Sequence, residues 1–298
     1  MTARPTCRRP RLRLGALAAA VSLTAGACTT ASAPSTTASA PTTSVVLPTE
    51  TTTPVDSTAT TSGDLPPCLA GDAPFVEDGS AGVLTSSSSE VAAIGGVSWR
   101  DYGGCERLII EYQTTEGAPA VDPPTVATLL IRASGVLRLN LDETVTTSRF
   151  QEQQVDTDLV DGVFAVRTAS GATFVDIHLA DAVVARVANV SGPGRTIVDL
   201  RRGGTPYGGT PTRAGNIIVV EPLLGDVSYP FSVSGYALTD DDEITATLVG
   251  GTASIEASAP ISDHYDTWGS FTLLFPDGPD GPITVDLGGL RLILTARR

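Results

Sequence analysis

The sequence predicts an all-β protein: two small β-sandwich-type domains behind a disordered stalk. Three observations predict it. Short runs with strict apolar–polar alternation dominate the second two thirds of the chain, as half-buried strands require. Clusters of Gly, Pro, Asp and Thr close those runs at strand-length intervals. No stretch shows the sustained 3.6-residue periodicity of a long amphipathic helix.

The first element is an export signal, residues 1–27. Arg4, Arg8, Arg9, Arg11 and Arg13 form a basic leader, Leu14–Leu23 a short apolar run, and small residues follow. The apolar run falls short of the ~20 residues needed to span a bilayer. Ala25-Gly26-Ala27-Cys28 then resembles a bacterial lipobox, with Ala25 where Leu is usual. Two readings follow: acylation of Cys28 as the mature N-terminus, which we favour, or simple secretion with cleavage near Ala25 or Ala27. The route, Sec or twin-arginine (Arg8-Arg9, spoiled by Pro10), stays open. The expected location is extracytoplasmic, lipid-anchored to the cell membrane.

Residues 28–63 are almost entirely Thr, Ser, Ala and Pro after the cysteine. Such composition cannot bury a core and reads as a disordered linker. All 19 basic residues are Arg, and 33 residues are acidic. Removing the five leader arginines leaves 14 against 33, a formal charge of −19 for the mature chain. That field repels nucleic acid and anionic headgroups, so a nucleic-acid partner is excluded.

Of four cysteines, Cys7 leaves with the leader and Cys28 is the lipid site. Cys68 and Cys105 remain, in an oxidising compartment, and read as a disulfide. The competing two-cysteine metal site lacks nearby ligands.

The first folded domain is expected over 64–203. Leu108, Ile110 and Tyr112 alternate with Arg107, Ile109 and Glu111. Leu137, Leu139 and Leu141 alternate with Arg138, Asn140 and Asp142. Val175, Ile177 and Leu179 share one face, with Asp176 and His178 on the other. Asp181–Ala188 is a candidate short helix, and Arg195–Arg201 a closing strand. Gly, Thr and Pro in 204–214 read as a hinge. The second domain, 215–298, follows with short runs at Ile217–Val220, Phe231–Tyr236, Ile244–Leu248, Phe271–Phe275, Ile283–Leu287 and Leu290–Leu294. That density suits an immunoglobulin-like sandwich.

Two resemblances refine this. The stretch Val97-Ser98-Trp99-Arg100-Asp101-Tyr102-Gly103-Gly104-Cys105-Glu106-Arg107-Leu108-Ile109-Ile110-Glu111-Tyr112 resembles the opening of an AMIN-like domain, with its glycine turn and GxxRxxxE pattern. Gly194-Arg195-Thr196-Ile197-Val198-Asp199-Leu200 is similar to that family's closing strand. The second domain resembles the immunoglobulin-like, Gmad-type domain associated with spore-germination proteins. The matching residues are Ile218–Pro222, Pro230–Ala237 and Trp268-Gly269-Ser270-Phe271. The first resemblance implies binding to the cell envelope or peptidoglycan. The second implies an accessory adhesion-type module. Neither implies catalysis.

The chemistry-bearing residues are few. No GxSxG elbow or HExxH occurs. His178 reads as a solvent-facing strand residue more readily than as a general base. His264, in Ser262-Asp263-His264-Tyr265-Asp266, reads as a solvated loop residue. Asp156–Gly162, Asp240–Glu243 and Asp277–Gly281 lack calcium-loop spacing, and turn chemistry accounts for them. No catalytic residue, metal or cofactor is therefore expected. Trp99, Tyr102, Tyr265 and Trp268 are the candidate ligand-binding residues, beside turns where rings can stack on sugars; the other reading makes them core plugs at strand ends. The expectation is a non-catalytic binding or scaffolding lipoprotein for cell-wall polymer (peptidoglycan) or an envelope protein. The alternatives are an envelope hydrolase, marked by a buried convergent polar pocket, and a solute-binding lipoprotein, marked by a deep interdomain cleft.

Overall fold

The computed structural model describes residues 68, 74–77, 79–86, 90–142, 144–223, 225–262 and 267–298. The leader, Cys28, the linker 28–63, His264 and Tyr265 lie outside the described residues. Among the described residues every regular element is a strand. The first half holds β1 (Gly79–Leu84), β2 (Ala93–Asp101), β3 (Glu106–Gln113), β4 (Val126–Ile131), β5 (Val136–Leu141), β6 (Thr147–Ser148), β7 (Glu152–Gln154), β8 (Val160–Arg167), β9 (Thr173–Leu179), β10 (Val183–Val190) and β11 (Arg195–Arg202). The second holds β12 (Thr212–Ala214), β13 (Ile217–Glu221), β14 (Gly225–Ser228), β15 (Phe231–Ala237), β16 (Glu243–Gly250), β17 (Ala253–Pro260), β18 (Trp268–Phe275), β19 (Gly281–Leu287) and β20 (Leu290–Arg297).

The strands build three sheets. One runs β10-β11-β3-β2-β6, a second β14-β20-β19-β16-β17. The third runs β1-β4-β5-β9-β8-β18-β15-β13-β12, with β7 added beside β8. The small first sheet packs on the early part of this long sheet, burying Leu108, Ile110, Leu137, Leu139, Val175 and Ile177 between them. The second small sheet packs on its late part around Val233, Leu248, Phe271, Leu273, Val285 and Leu292. Each is an apolar sandwich core of the kind alternating strands produce.

Asp181–Ala188 is not helical. Val183, Ala185 and Val187 alternate inward along β10, which pairs with β11 from Val183↔Arg202 to Val190↔Arg195. β-Branched residues at period two favour that ladder over a helix. Nor is 204–214 a bare hinge. Tyr207 packs against the first core, and its hydroxyl accepts a hydrogen bond from the Val183 amide at 3.0 Å. Thr212–Ala214 is already strand, paired with β13.

The two halves share the long sheet. Parallel β8 and β18 meet through Trp268↔Val166 and Gly269↔Arg167 alone. The sheet's outer face carries a third core, with Val136, Phe164, Val166 and Phe174 from the first half and Ile218, Val220, Tyr236 and Trp268 from the second. Gly235 allows the close approach behind it: a Cβ there would lie 2.0 Å from the Ile218 carbonyl oxygen, so only glycine fits between β13 and β15.

On the outer face of the first small sheet, the Asp199 carboxylate is gripped by two guanidiniums. Arg107 bonds it through Nε and Nη2 at 2.6 and 2.9 Å, and Arg186 through Nη2 at 2.9 Å. All three side chains are buried. The same Arg186 nitrogen donates to the Cys68 carbonyl at 2.6 Å. Cys68 is disulfide-bonded to Cys105, with Cα atoms 6.0 Å apart. A loop of 37 residues closed this way stabilises the fold by about 4 kcal/mol on the chain-entropy model.

Two outcomes are expected. Asp199→Ala strands two buried cations and should lower unfolding free energy by about 3–5 kcal/mol in urea titration. Because the halves share a sheet and a core, fluorescence of Trp99 (in a Trp268→Phe chain) and of Trp268 (in a Trp99→Phe chain) should each melt with that chain's circular dichroism. Split midpoints would mean that the seam is not cooperative.

Candidate functional site

The three aromatic candidates among the described residues, Trp99, Tyr102 and Trp268, do not converge. Trp268 is 0% exposed. Its ring meets Phe164 and Tyr236 edge-on at 5.7 and 5.8 Å, and the Arg213 guanidinium lies 5.3 Å from its centroid. It is a core plug at the seam and presents no surface to a ligand. Tyr102 is 41% exposed, beneath the guanidiniums of Arg100 and Arg107 at 5.2 and 5.6 Å. Among these described candidates it is Trp99 that lines an open groove.

That groove, about 350 Å³, sits at the end of the first sandwich. The β2–β3 hairpin builds one wall. Its turn is tight: the Tyr102 amide donates to the Cys105 carbonyl at 2.9 Å, and the Gly103 amide to Asp101 Oδ1 at 2.7 Å. Gly103 and Gly104 take φ values of +73° and +120°, which glycine adopts freely. Asp101 is paired with Glu106 across the hairpin, and Trp99 with Leu108. The loop before β8 supplies Thr157, Asp158 and Leu159, and the end of β11 supplies Arg202.

Glu106 is the unusual member. It shares strand parity with Leu108, Ile110 and Tyr112, so it occupies a core-facing position, and it is 5% exposed. Its Oε2 accepts from Trp99 Nε1 at 3.2 Å and from Thr157 Oγ1 at 2.7 Å. The groove's own cation, Arg202, is ion-paired with Asp181 and lies 3.8 Å from Asp158. The sequence signal for Glu106 was present: a carboxylate on the inward side of an alternating strand, where only function or a partner sustains it.

The disulfide borders the same groove through Cys105, and Asp199 lies close to both sulfurs. Both sulfurs are consumed by the bond, and Asp199 by two arginines, so that trio offers a metal no free thiolate.

His178 is not solvent-facing. The long sheet's outer face, where Asp176 and His178 point, also carries Phe164, Tyr236 and Trp268, and His178 is left 7% exposed. Its Nε2 and the Tyr236 hydroxyl are hydrogen-bonded across the seam. The Phe164 ring lies tilted against it, with centroids 4.4 Å apart. Nearby, Arg138 grips Asp176 through Nε and Nη2 at 2.8 and 2.7 Å. Burial, reinforced by the positive charges of Arg213 and Arg138, pushes the His178 pKa down to about 3. Burial raises Asp176 against the pull of Arg138, and raises Tyr236 well above its usual range. The cluster holds a neutral imidazole between two halves of a sheet.

A further groove, about 990 Å³, lies beside Asp240, Asp241 and Glu243, with Gln151 of the first half in its lining. Among the described residues its lining includes neither tryptophan nor His178.

No protein-family model matches this chain, and no curated protein does.

The His178 shift has a signed consequence. Unfolded, His178 takes up a proton near pH 6.5; folded, it resists until about 3. The unfolded chain therefore binds more protons between those values, and stability falls as pH drops from about 6.5 towards 3. Asp176, raised, acts in the opposite sense. His178→Gln keeps a partner for Tyr236 and removes the titration. The variant should lose less stability than the parent between pH 7 and pH 4, measured by urea unfolding at each pH.

Proposed function

We propose that this chain is an envelope lipoprotein, acylated at Cys28, that binds cell-wall polymer through the Trp99 groove without turning it over. The AMIN-like and Gmad-type resemblances support a wall-facing role for both halves, and the linker 28–63 supplies reach from the membrane. One observation carries the choice of site. Of the three aromatic candidates among the described residues, Trp99 lines an open groove with carboxylates around it, whereas Trp268 is buried. Indole walls with a few placed polar groups are how proteins commonly grip sugar-sized ligands.

The hydrolase alternative needs a histidine that reaches substrate. His178 is held beneath Phe164 and bonded to Tyr236, which suits a structural pin better than a base. Peptidoglycan, neutral or zwitterionic, also suits a chain of this negative charge better than anionic polymers do.

The reading is checked by sedimentation with purified peptidoglycan. The protein should be retained, Trp99→Ala should lose most of that retention, and Tyr102→Ala should keep it. Retention unaffected by Trp99→Ala would remove the groove as the binding site. In cells, Cys28→Ser should move the protein from the membrane fraction to the medium or leave it unprocessed. Processed protein still tightly on the membrane would end the lipid-anchor proposal.

A further inference from the structure

Glu106 has a near-buried carboxylate and no cation. Among the described residues no arginine or histidine lies within ion-pair distance of it. Its polar contacts are the two neutral donors on Oε2, the Trp99 indole and the Thr157 hydroxyl. Oε1 accepts no hydrogen bond and is not sealed from solvent, being absent from the buried unsatisfied atoms. The other near-buried carboxylates behave differently: Asp199 holds two guanidiniums and Asp176 holds one. A desolvated carboxylate is costly unless a positive charge or several donors compensate it. Here Oε2 is compensated and Oε1 is left facing a groove.

The surroundings repeat the same preference. Asp101 and Asp158 stand on the rim, and Arg202 is already committed to Asp181 and Asp158. The Trp99 ring, pinned by its own hydrogen bond to Glu106, offers a π-surface beside the carboxylate. An indole next to an unpaired carboxylate is complementary to an ammonium group, through charge-assisted hydrogen bonds and cation–π attraction. It is a poor site for a carboxylate, a phosphate or an N-acetyl group, which brings no positive charge to Oε1.

We propose that the Trp99–Glu106 groove recognises a primary ammonium group, with Glu106 Oε1 as its acceptor, Trp99 as its apolar wall and Asp158 as a rim charge. The inference rests on the groove being the ligand surface and names what distinguishes its ligand. Such a group reaches a cell-wall polymer in two ways, as a de-N-acetylated amino sugar or as the free side-chain amine of a stem peptide.

The test uses the full-length protein in detergent, in an amine-free buffer. Tryptophan fluorescence reports on the groove, because Trp268 is sealed at the seam. The probes are a glucosamine hexamer, its fully N-acetylated counterpart, and a short lysine-containing stem peptide with and without acetylation of its side-chain amine. The expected result is a saturable change with at least one amine probe and a tenfold or greater weakening on its acetylation. Response to the sugar alone assigns the amino sugar; response to the peptide alone assigns the stem. Glu106→Gln should weaken the responding probe about tenfold, and Asp158→Asn, whose side chain is 90% exposed and carries no core, should weaken it by a smaller factor with the fold intact. Equal binding of amine and N-acetyl probes, or no response to either amine, would overturn the proposal. So would unchanged binding in both variants. A wall pull-down separates this from the broader reading. Equal retention on untreated and amine-acetylated peptidoglycan would overturn ammonium recognition and leave wall binding standing. No retention on either, with the fluorescence response kept, would do the reverse.

Discussion

The Asp199 carboxylate organises the first half of this protein. It sits on the outer face of a sheet whose inner face is committed to an aliphatic core. Left alone there it would be destabilising by several kcal/mol. Arg107 and Arg186 neutralise it from neighbouring strands, and Arg186 then reaches the Cys68 carbonyl. The disulfide fixes the same segment to the start of β3. Strand order, the covering segment and the hairpin that frames the Trp99 groove are thereby tied to one charge. Glu106 adjoins both Cys105 and Arg107, so the position of the groove's carboxylate follows from this arrangement.

The second half attaches by different means. Only two residue pairs join β8 to β18, too few to hold two sandwiches by backbone bonding. The aromatic core around Trp268 and Phe164 supplies the apolar area, and the His178–Tyr236 bond fixes register across it. A neutral imidazole is a sensible choice for that position. It satisfies one buried hydroxyl without bringing a charge that would need a counter-ion beside Arg138 and Arg213.

Alternation in the sequence made the strand faces legible. The inward leucines of β5 and the inward residues of β3, β9, β15, β16, β18, β19 and β20 are buried as their period of two requires. What alternation cannot express is whether the second face is covered. Arg107, Asp176, His178 and Trp268 all lie on second faces, and all are buried by segments distant in sequence. Coverage comes from long-range contact, and local pattern is silent about it. β17 was equally silent for the opposite reason. Its sequence Ala-Ser-Ile-Glu-Ala-Ser-Ala-Pro has little apolar contrast, and pairing with β16 makes it a strand. For the site, the aromatic residues were visible and their partners were not. Trp99 could be named from its place beside a glycine turn, whereas Thr157, Asp158 and Arg202 join it only through the packing of β8 and β11 against the hairpin.

The handling of carboxylates separates structure from candidate function here. The two that tie strands together, Asp199 and Asp176, are saturated by arginine in bidentate geometry, which suits permanent contacts. Glu106 is nearly as buried, at the one groove that holds an exposed-edge tryptophan, and is satisfied only halfway. The chain uses arginine throughout, so a guanidinium opposite Glu106 was available to evolution at no novelty of chemistry, and Arg202 stands nearby yet turns to Asp181. The wider field points the same way. A chain with 19 basic residues against 33 acidic ones raises the local concentration of cationic groups at its surface, and a groove with low-dielectric walls focuses that field. Moderate salt screens the approach but not the final contact with a desolvated oxygen. Attraction at long range and discrimination at Glu106 are therefore separable, and an ammonium group is the ligand feature to which both respond.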